Sequence, residues 1–287
     1  MKTVAIAGAS GFVGTHLTKF LTHFGYEVSK ITREELANNE LLISKFNKTD
    51  IVINLSGANI IHRWNDAYKK ELYSSRIDTT QKIVYAIKNA EHKPKVLIST
   101  SAVGIYSNKK VNSEENFEYG TNFLATLCKT WEEEAFKATE DTRVAIFRFG
   151  IVLGKNGGAL QSMLLPFKFG LGGTIGDGSQ YFSFIHIEDL KNAFKFIIEN
   201  ENLNGAFNLG ASVPTTNKGL TKALGKTLNR PTFLPVPQFA LKLLYGEGAT
   251  VLTDGQSMIP KRLEDNGFNF EFKTIESAIE NLLGEKS

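Results

Sequence analysis

The stretch that decides the fold is the opening one, residues 1–16, which read MKTVAIAGASGFVGTH. Residues 3–7 form a short apolar run without polar alternation, which is typical of a strand buried on both faces of a parallel sheet. Three glycines spaced GxxGxxG follow, and residues 12–24 are apolar and compatible with a helix. A strand, a glycine turn and a helix in this order predict bare backbone amides that hold a pyrophosphate. The alternative is a tight turn that binds nothing.

The composition is that of an ordinary globular protein and excludes several classes. The 287 residues are 22% charged and 42% hydrophobic, and the net charge of +3 is too small to indicate a nucleic-acid partner. One cysteine allows no internal disulfide, and no apolar run approaches the roughly 18 residues that span a bilayer. The five histidines are scattered without metal-ligand spacing. We expect no nucleic acid, membrane or metal partner, and a cytoplasmic location.

The second predicted strand, residues 27–31, ends at Thr32 and Arg33. NAD-binding units of this kind place Asp or Glu about 20 residues past the glycines, where the carboxylate binds the ribose hydroxyls. Arg33 instead offers a guanidinium that pairs with a 2′-phosphate through charge-assisted hydrogen bonds. We therefore expect NADP rather than NAD. Glu34 and Glu35 keep NAD open, and a solvated surface arginine is the alternative.

Strands and helices alternate along most of the chain, which predicts an α/β fold with a doubly wound parallel sheet of the Rossmann type. Residues 154–178 are rich in glycine, and we expect a mobile segment over the active-site cleft there. A proline-punctuated linker occupies 231–237. We predict an NAD(P)-binding Rossmann domain over 1–230 and a small mixed C-terminal cap domain over 231–287.

Hydroxyl groups follow the fourth predicted strand, 95–100, where the chain continues SAVGIYS. Side chains at the carboxyl ends of parallel strands line the crevice where ligands bind, so Ser101 and Tyr106 are candidates for the chemistry. Ser101 has a turn-forming role as its alternative, and Tyr106 a role in packing or substrate contact. On the helix predicted over 65–89, Glu71 and Arg76 are candidates to reach a ligand, with a solvated helix surface as the alternative.

These motifs together resemble the extended short-chain dehydrogenase/reductase superfamily, and within it an atypical NAD(P)-binding, epimerase-like subgroup with a small C-terminal domain. The resemblance runs nearly end to end. It rests on GASGFVG at 8–14, NLSG at 54–57, RW at 63–64, SR at 75–76, SAVGIY at 101–106, WE at 131–132, Arg148 with GIVL at 150–153, LPF at 165–167, GLGG at 170–173, FIHI at 184–187 and PKRL at 260–263.

The resemblance implies a cofactor site whose parts are spread along the first half of the chain. The glycine turn holds the pyrophosphate, and the ends of the second and third strands hold the adenosine side. The cofactor-binding residues implied are Gly8, Ser10, Gly11, Phe12, Val13, Gly14, Thr32, Arg33, Leu55, Ser56, Gly57, Glu71, Arg76 and Val152.

The sequence departs from the superfamily where catalysis is concerned. Active members carry a tyrosine and a lysine at i and i+4 on the helix after the fourth strand, and the lysine lowers the phenol pKa. Here those places hold Leu124 and Cys128.

Two hypotheses follow. The first is an NADP-dependent oxidoreductase or epimerase of unknown substrate, in which Ser101 holds the substrate oxygen and Tyr106 or a water moves the proton. The second is a cofactor-binding sensor or partner-binding module with little or no chemistry.

Overall fold

The computed structural model describes residues 1–284. Ten strands lie within them. The strands are β1 (Thr3–Ala7), β2 (Glu27–Ile31), β3 (Ile51–Asn54), β4 (Val96–Ala102), β5 (Val111–Asn112), β6 (Arg143–Phe149), β7 (Ile151–Leu153), β8 (Phe184–His186), β9 (Gly205–Leu209) and β10 (Ser257–Met258).

Thirteen α-helices lie in the same residues, besides two short 3₁₀ turns. The helices are α1 (Phe12–His23), α2 (Arg33–Ala37), α3 (Asn39–Phe46), α4 (Asp66–Ser74), α5 (Ile77–Asn89), α6 (Phe123–Phe136), α7 (Gly158–Lys168), α8 (Ile187–Glu199), α9 (Asn217–Leu228), α10 (Gln238–Tyr245), α11 (Thr250–Thr253), α12 (Lys261–Asp265) and α13 (Ile275–Leu283).

Six parallel strands form the central sheet in the order β2-β1-β3-β4-β6-β9. The chain leaves β1 toward β2 on one side and returns to place β3 on the other, so that Ala7 lies beside both Ile31 and Asn54. A crevice opens at the carboxyl ends of neighbouring strands where the winding direction reverses. The sheet order therefore places the expected ligand site between the ends of β1 and β3. The predicted α/β fold of the Rossmann type is confirmed.

Apolar cores cover both faces of the sheet, as its unalternating strands require. On one face Leu17 of α1 and Phe194 of α8 pack against Ile6 and Phe147. On the other face, side chains of α3, α5 and α6 pack against alternate residues of the same strands. The two faces together fix the strand ends, and with them the site.

Two stretches that read as continuous helices are each divided in the structure. Residues 34–46 are compatible with one short helix, but the chain breaks at Asn38, whose side chain caps α3 by accepting hydrogen bonds from the amides of Glu40 and Leu41. The helix predicted over 65–89 is capped by Asn65 and breaks at Ser75 and Arg76, where both side chains turn to the backbone of Ala58. Local polar groups thus overrode a continuous helical pattern.

The glycine-rich segment 154–178 contains α7, which carries Pro166 within it. The polar residues 108–116 contribute β5, which pairs with β10 from the C-terminal region. Residues 231–284 hold helices together with the strand β10, in agreement with the small mixed region that the sequence predicts. The domain boundary at 230 stays a prediction.

Strand β9 forms one edge of the sheet, and Arg262 of α12 closes that edge. Its Nη1 donates to the carbonyl of Ala206 at 2.6 Å and its Nη2 to that of Asn204 at 2.9 Å. The guanidinium lies 4.3 Å from the ring centroid of Phe207. This arginine fastens the C-terminal region to the sheet.

Candidate functional site

The glycine turn brings three backbone segments into close approach. Gly8 has φ +77°, and a Cβ there would lie 2.8 Å from the carbonyl carbon of Leu55 at the end of β3. A Cβ on Gly14 would lie 2.3 Å from the carbonyl oxygen of Gly8. Any side chain at either position would displace backbone, so both glycines are required for this geometry. The turn lies at the reversal point of the sheet.

Helix α1 begins directly after the turn with its first amides available. Gly11 is the N-cap residue, and no side chain among the described residues caps the helix there. Ser10 and Gly11 are exposed, and Phe12 and Val13 are half-buried. Unpaired amides and the positive end of the helix dipole make this end of α1 an anion site.

The residues that follow β2 include two candidates for the ribose or the 2′-phosphate, Arg33 and Glu35, and the structure gives them different surroundings. The Thr32 hydroxyl accepts a hydrogen bond from the Glu35 amide, and the Glu35 carboxylate accepts one from the Thr32 amide. Burial raises the pKa of Glu35, but hydrogen bonds from Lys45 and Thr32 outweigh it and lower the pKa overall. Glu35 is thus committed to a capping box and to Lys45, which weakens its case as a ribose ligand. Arg33 is exposed and has no ion-pair partner within residues 1–284.

The turn after β3 forms the opposite wall of the crevice. Leu55 donates its amide to the carbonyl of Ala7, and the Ser56 amide donates to the Asn54 side chain at 3.1 Å. Leu55 and Ser56 are half-buried and Gly57 is exposed. The positions implied for the adenosine side therefore do line the reversal point, next to Gly8.

Arg76 reaches this wall from the break between α4 and α5. Its Nη2 donates to the carbonyl of Ala58 at 3.0 Å, and a Cβ on Gly57 would lie 3.0 Å from the guanidinium carbon. Burial lowers the pKa of Arg76, and no carboxylate within residues 1–284 pairs with it. Its Nε has no partner among the described groups. A charged, enclosed guanidinium without a counter-ion fits a negatively charged ligand. Glu71 is exposed on α4.

Phe12 connects the glycine turn to the segment that follows β7. Cβ atoms on Gly154, Gly157 and Gly158 would each lie within 3.0 Å of its ring. Val152, on β7, is half-buried, and its carbonyl oxygen faces Gly158. The segment expected to cover the cleft thus begins in contact with the expected pyrophosphate site.

Ser101 lies at the end of β4 and is buried, and its hydroxyl has no hydrogen-bond partner of normal geometry among the described residues. Its neighbour on α6 is Cys128. Burial and then Glu132 raise the pKa of Cys128 to about 11, against the opposing charge of Arg76. The thiol is therefore neutral near pH 7, which favours a structural role. Leu124 packs near Gly104. Neither residue replaces a tyrosine–lysine pair.

Tyr106 is placed away from the crevice, in a buried polar network. Its hydroxyl donates to Asn208 Oδ1 at 2.6 Å and accepts from Arg148 Nη1 at 2.8 Å. Arg148 in turn forms a two-point ion pair with Glu132 at 2.8 and 2.7 Å. Burial raises the pKa of Tyr106 to about 12. These contacts favour the packing alternative over an acid that meets a substrate.

Sequence patterns did not indicate the remaining members of this network. Glu114 accepts hydrogen bonds from the amides of Asn208 and Arg262, and burial raises its pKa. Asn208 lies 102 residues from Tyr106. No spacing rule connects such distant positions, so only the fold reveals them.

Within residues 1–284, no group of three or more His, Cys, Asp or Glu side chains is arranged to hold a metal ion. The described helices include none that is long and apolar enough to cross a bilayer.

A glycine turn at the reversal point of a parallel sheet, followed by an uncapped helix, defines an α/β protein of the dinucleotide-binding class. The chain belongs to the NAD dependent epimerase/dehydratase family, whose model matches residues 4–210. A second model, a domain of unknown function named DUF1731, matches residues 236–282.

Relatives and solved structures support the same placement. The chain is 38% identical to the chloroplastic SDR39U1 homolog of Arabidopsis thaliana, an epimerase family protein, covering 98% of this chain and 86% of that one. It is 36% identical to mouse SDR39U1, covering 98% and 99%. The crystal structure of human SDR39U1 (isoform2) with NADPH superposes with a TM-score of 0.90 at 32% identity, covering 98% and 99%.

Proposed function

We propose that this protein binds NADP(H) and exchanges hydride with a small-molecule substrate, as an oxidoreductase or an epimerase. The observation that carries the proposal is Arg33, an exposed guanidinium at the end of β2 that no carboxylate of residues 1–284 pairs with, beside a glycine turn that suits a pyrophosphate. The human SDR39U1 structure with NADPH supports the choice of cofactor.

Each part of the site has a distinct task in this proposal. The amides that open α1 bind the pyrophosphate, and Thr32 and Arg33 hold the 2′-phosphate. Bound NADP(H) supplies the hydride. Arg76 provides the fixed positive charge that is missing at position 128, since its guanidinium lies close enough to Cys128 to act on the thiol pKa. The Ser101 hydroxyl, which has no partner of normal geometry among the described residues, holds the substrate oxygen.

The proton has two candidate sources, Tyr106 and a water. Tyr106 is buried, its hydroxyl is fully engaged, and its pKa is about 12, all of which oppose proton exchange near pH 7. We therefore favour a water held by Ser101.

Calorimetric titration of NADPH and NADH tests the cofactor assignment. Arg33→Gln is expected to weaken NADPH binding by roughly 10- to 100-fold, because a charge-assisted contact to the 2′-phosphate is lost, and to leave NADH binding unchanged. Lys88→Gln, which removes an exposed positive charge from the last turn of α5, is the matched control. Equal affinities of the wild type for NADPH and NADH would contradict the assignment.

A second candidate function is a cofactor sensor with little chemistry. Leu124 and the neutral thiol of Cys128 favour it, because they leave positions 124 and 128 without the phenol and the fixed positive charge of active members. Deuterium transfer from labelled NADPH across a library of carbonyl compounds and sugar nucleotides separates the two. Tight binding without transfer, together with a partner whose affinity changes with the cofactor, would establish the sensor.

A further inference from the structure

An apolar surface lies exposed on two neighbouring segments of the chain. Its side chains are between 59% and 74% exposed, although each is large and hydrophobic. We call it the apolar rim, and its members are Leu165, Phe169, Leu171, Phe233, Phe239 and Leu243. Scattered exposed hydrophobic residues are ordinary, but a contiguous group of this size indicates a binding surface.

Backbone contacts bring the two segments together. The amide of Val236 donates to the carbonyl of Thr174 at 2.7 Å, and the amide of Gly176 donates to the carbonyl of Val236 at 2.9 Å. A Cβ on Gly170 would lie 3.6 Å from Pro231. The end of α7 and the approach to α10 therefore form one continuous surface.

Both segments are fastened to the walls of the cofactor crevice. At the start of α7, Gly157 and Gly158 pack on Phe12 beside the glycine turn. At the end of α10, Arg63 donates to the carbonyl of Leu243 at 2.8 Å, and Arg63 belongs to the loop that follows the β3 wall. The two segments that carry the apolar rim are thus joined to opposite walls of the crevice.

The charges along the two segments that carry the rim are mostly basic. Residues 156–177 and 202–247 contain six basic residues and two acidic ones, Asp177 and Glu247. Lys168 ends α7, Arg230 precedes Pro231, and Lys242 lies within α10. Two copies meeting face to face on this surface would place like charges together, which disfavours a symmetric dimer.

We propose that the apolar rim binds the apolar body of the substrate and that its basic residues attract an acidic group on it, so the substrate is an amphipathic organic acid. This inference rests on the proposed function, because it assigns the substrate of the same crevice. Apolar walls with a few cationic groups are the usual means of holding such a molecule.

Calorimetric titration of dodecanoate, below its micelle concentration, into NADP⁺-loaded protein tests the proposal. The double variant Phe239→Ser with Leu243→Ser is expected to bind dodecanoate at least about tenfold more weakly, because it removes two apolar contacts. Both side chains are exposed, so the fold is retained. Leu41→Ser on α3, also an exposed helical leucine, is the control and is expected to bind normally.

The charge is tested separately with Lys168→Gln and Lys242→Gln together. This variant is expected to bind dodecanoate several-fold more weakly and dodecanol unchanged. NADPH affinity is measured for every variant. If the wild-type protein does not bind NADPH, the proposed function is overturned. If it binds NADPH but not dodecanoate, only this inference is overturned.

Two other partners of the apolar rim, a membrane and a second copy of the protein, would give different results. Sedimentation with vesicles of phosphatidylcholine and phosphatidylglycerol, lost in the rim variant, would assign the surface to a membrane and overturn the proposal. Dimerisation that the same variant abolishes would assign it to a second copy. Equal dodecanoate affinity in the rim variant and in Leu41→Ser would also overturn it.

Discussion

Arg148 and Arg76 are both enclosed by protein, yet their surroundings differ in kind. Arg148 meets a two-point carboxylate partner in Glu132 and the hydroxyl of Tyr106. Within residues 1–284, Arg76 donates hydrogen bonds to carbonyls and to the Ser75 hydroxyl, and its guanidinium lies 5.4 Å from the centroid of the Trp131 ring and beside the bare backbone of Gly57. No carboxylate in that range pairs with it. A buried charge whose partners are all supplied by the protein has a structural role. A buried charge without a counter-ion is suited to bind a ligand of opposite charge.

The same distinction applies to the two hydroxyl groups that the sequence indicates as catalytic candidates, those of Ser101 and Tyr106. Tyr106 has both of its hydrogen bonds satisfied by the protein, and Ser101 has none of normal geometry among the described residues. We therefore expect substitutions at Arg148 and Tyr106 to lower stability, and substitutions at Arg76 and Ser101 to alter binding or hydride transfer instead.

The largest expected effect is on the ion pair. Arg148→Met leaves the Glu132 carboxylate buried without a partner, which is expected to lower the free energy of unfolding by about 3–5 kcal/mol. Arg76→Met is the matched control. It is expected to cost about 1 kcal/mol in stability while weakening NADPH binding, as measured by urea unfolding and by titration. Equal losses of stability would remove the distinction.

A buried base extends the comparison to pH. His186 caps α8 through Nδ1, and burial lowers its pKa to about 4. The unfolded chain binds the proton near pH 6.5 and the native one only near pH 4, so stability falls as the pH falls through this window. The loss is expected to reach about 3 kcal/mol. His186→Asn keeps a capping oxygen and should flatten the pH profile measured by chemical unfolding. An unchanged slope would assign the pH dependence to other groups.

Tyr106→Phe sharpens the comparison within the network. It removes one hydroxyl from between Arg148 and Asn208 and is expected to cost about 1–2 kcal/mol. Deuterium transfer from labelled NADPH, once an acceptor is found, is expected to persist because a water supplies the proton. If a folded variant that still binds NADPH no longer transfers deuterium, Tyr106 rather than a water is the proton donor.

The smallest expected change in stability is at Ser101. Ser101→Ala removes a hydroxyl without a normal partner, so the free energy of unfolding should change by less than about 0.5 kcal/mol. Deuterium transfer is expected to fall by about 100-fold while NADPH affinity is unchanged. A loss of stability as large as that of Tyr106→Phe would mean that the hydroxyl is structural.

Much of the fold was accessible from the sequence because its signals are local. The predicted strands over 3–7 and 27–31 and the glycine turn depend on neighbouring residues, and the structure has both strands at those bounds. The breaks at Asn38 and Ser75 were missed because their causes are polar contacts rather than periodicity. Pairings such as Tyr106 with Asn208 connect distant strands and leave no pattern in the chain.

The contacts of Arg262 have a consequence for how copies of this protein meet. An uncovered edge strand offers free carbonyls and amides that a second chain can extend. Arg262 donates hydrogen bonds to two carbonyls of the β9 region, and its guanidinium lies 4.3 Å from the centroid of the Phe207 ring. The opposite edge, β2, reads EVSKI and presents charged side chains instead. Each border of the sheet therefore carries its own protection against strand-to-strand polymerisation, one through a fitted side chain and the other through surface charge.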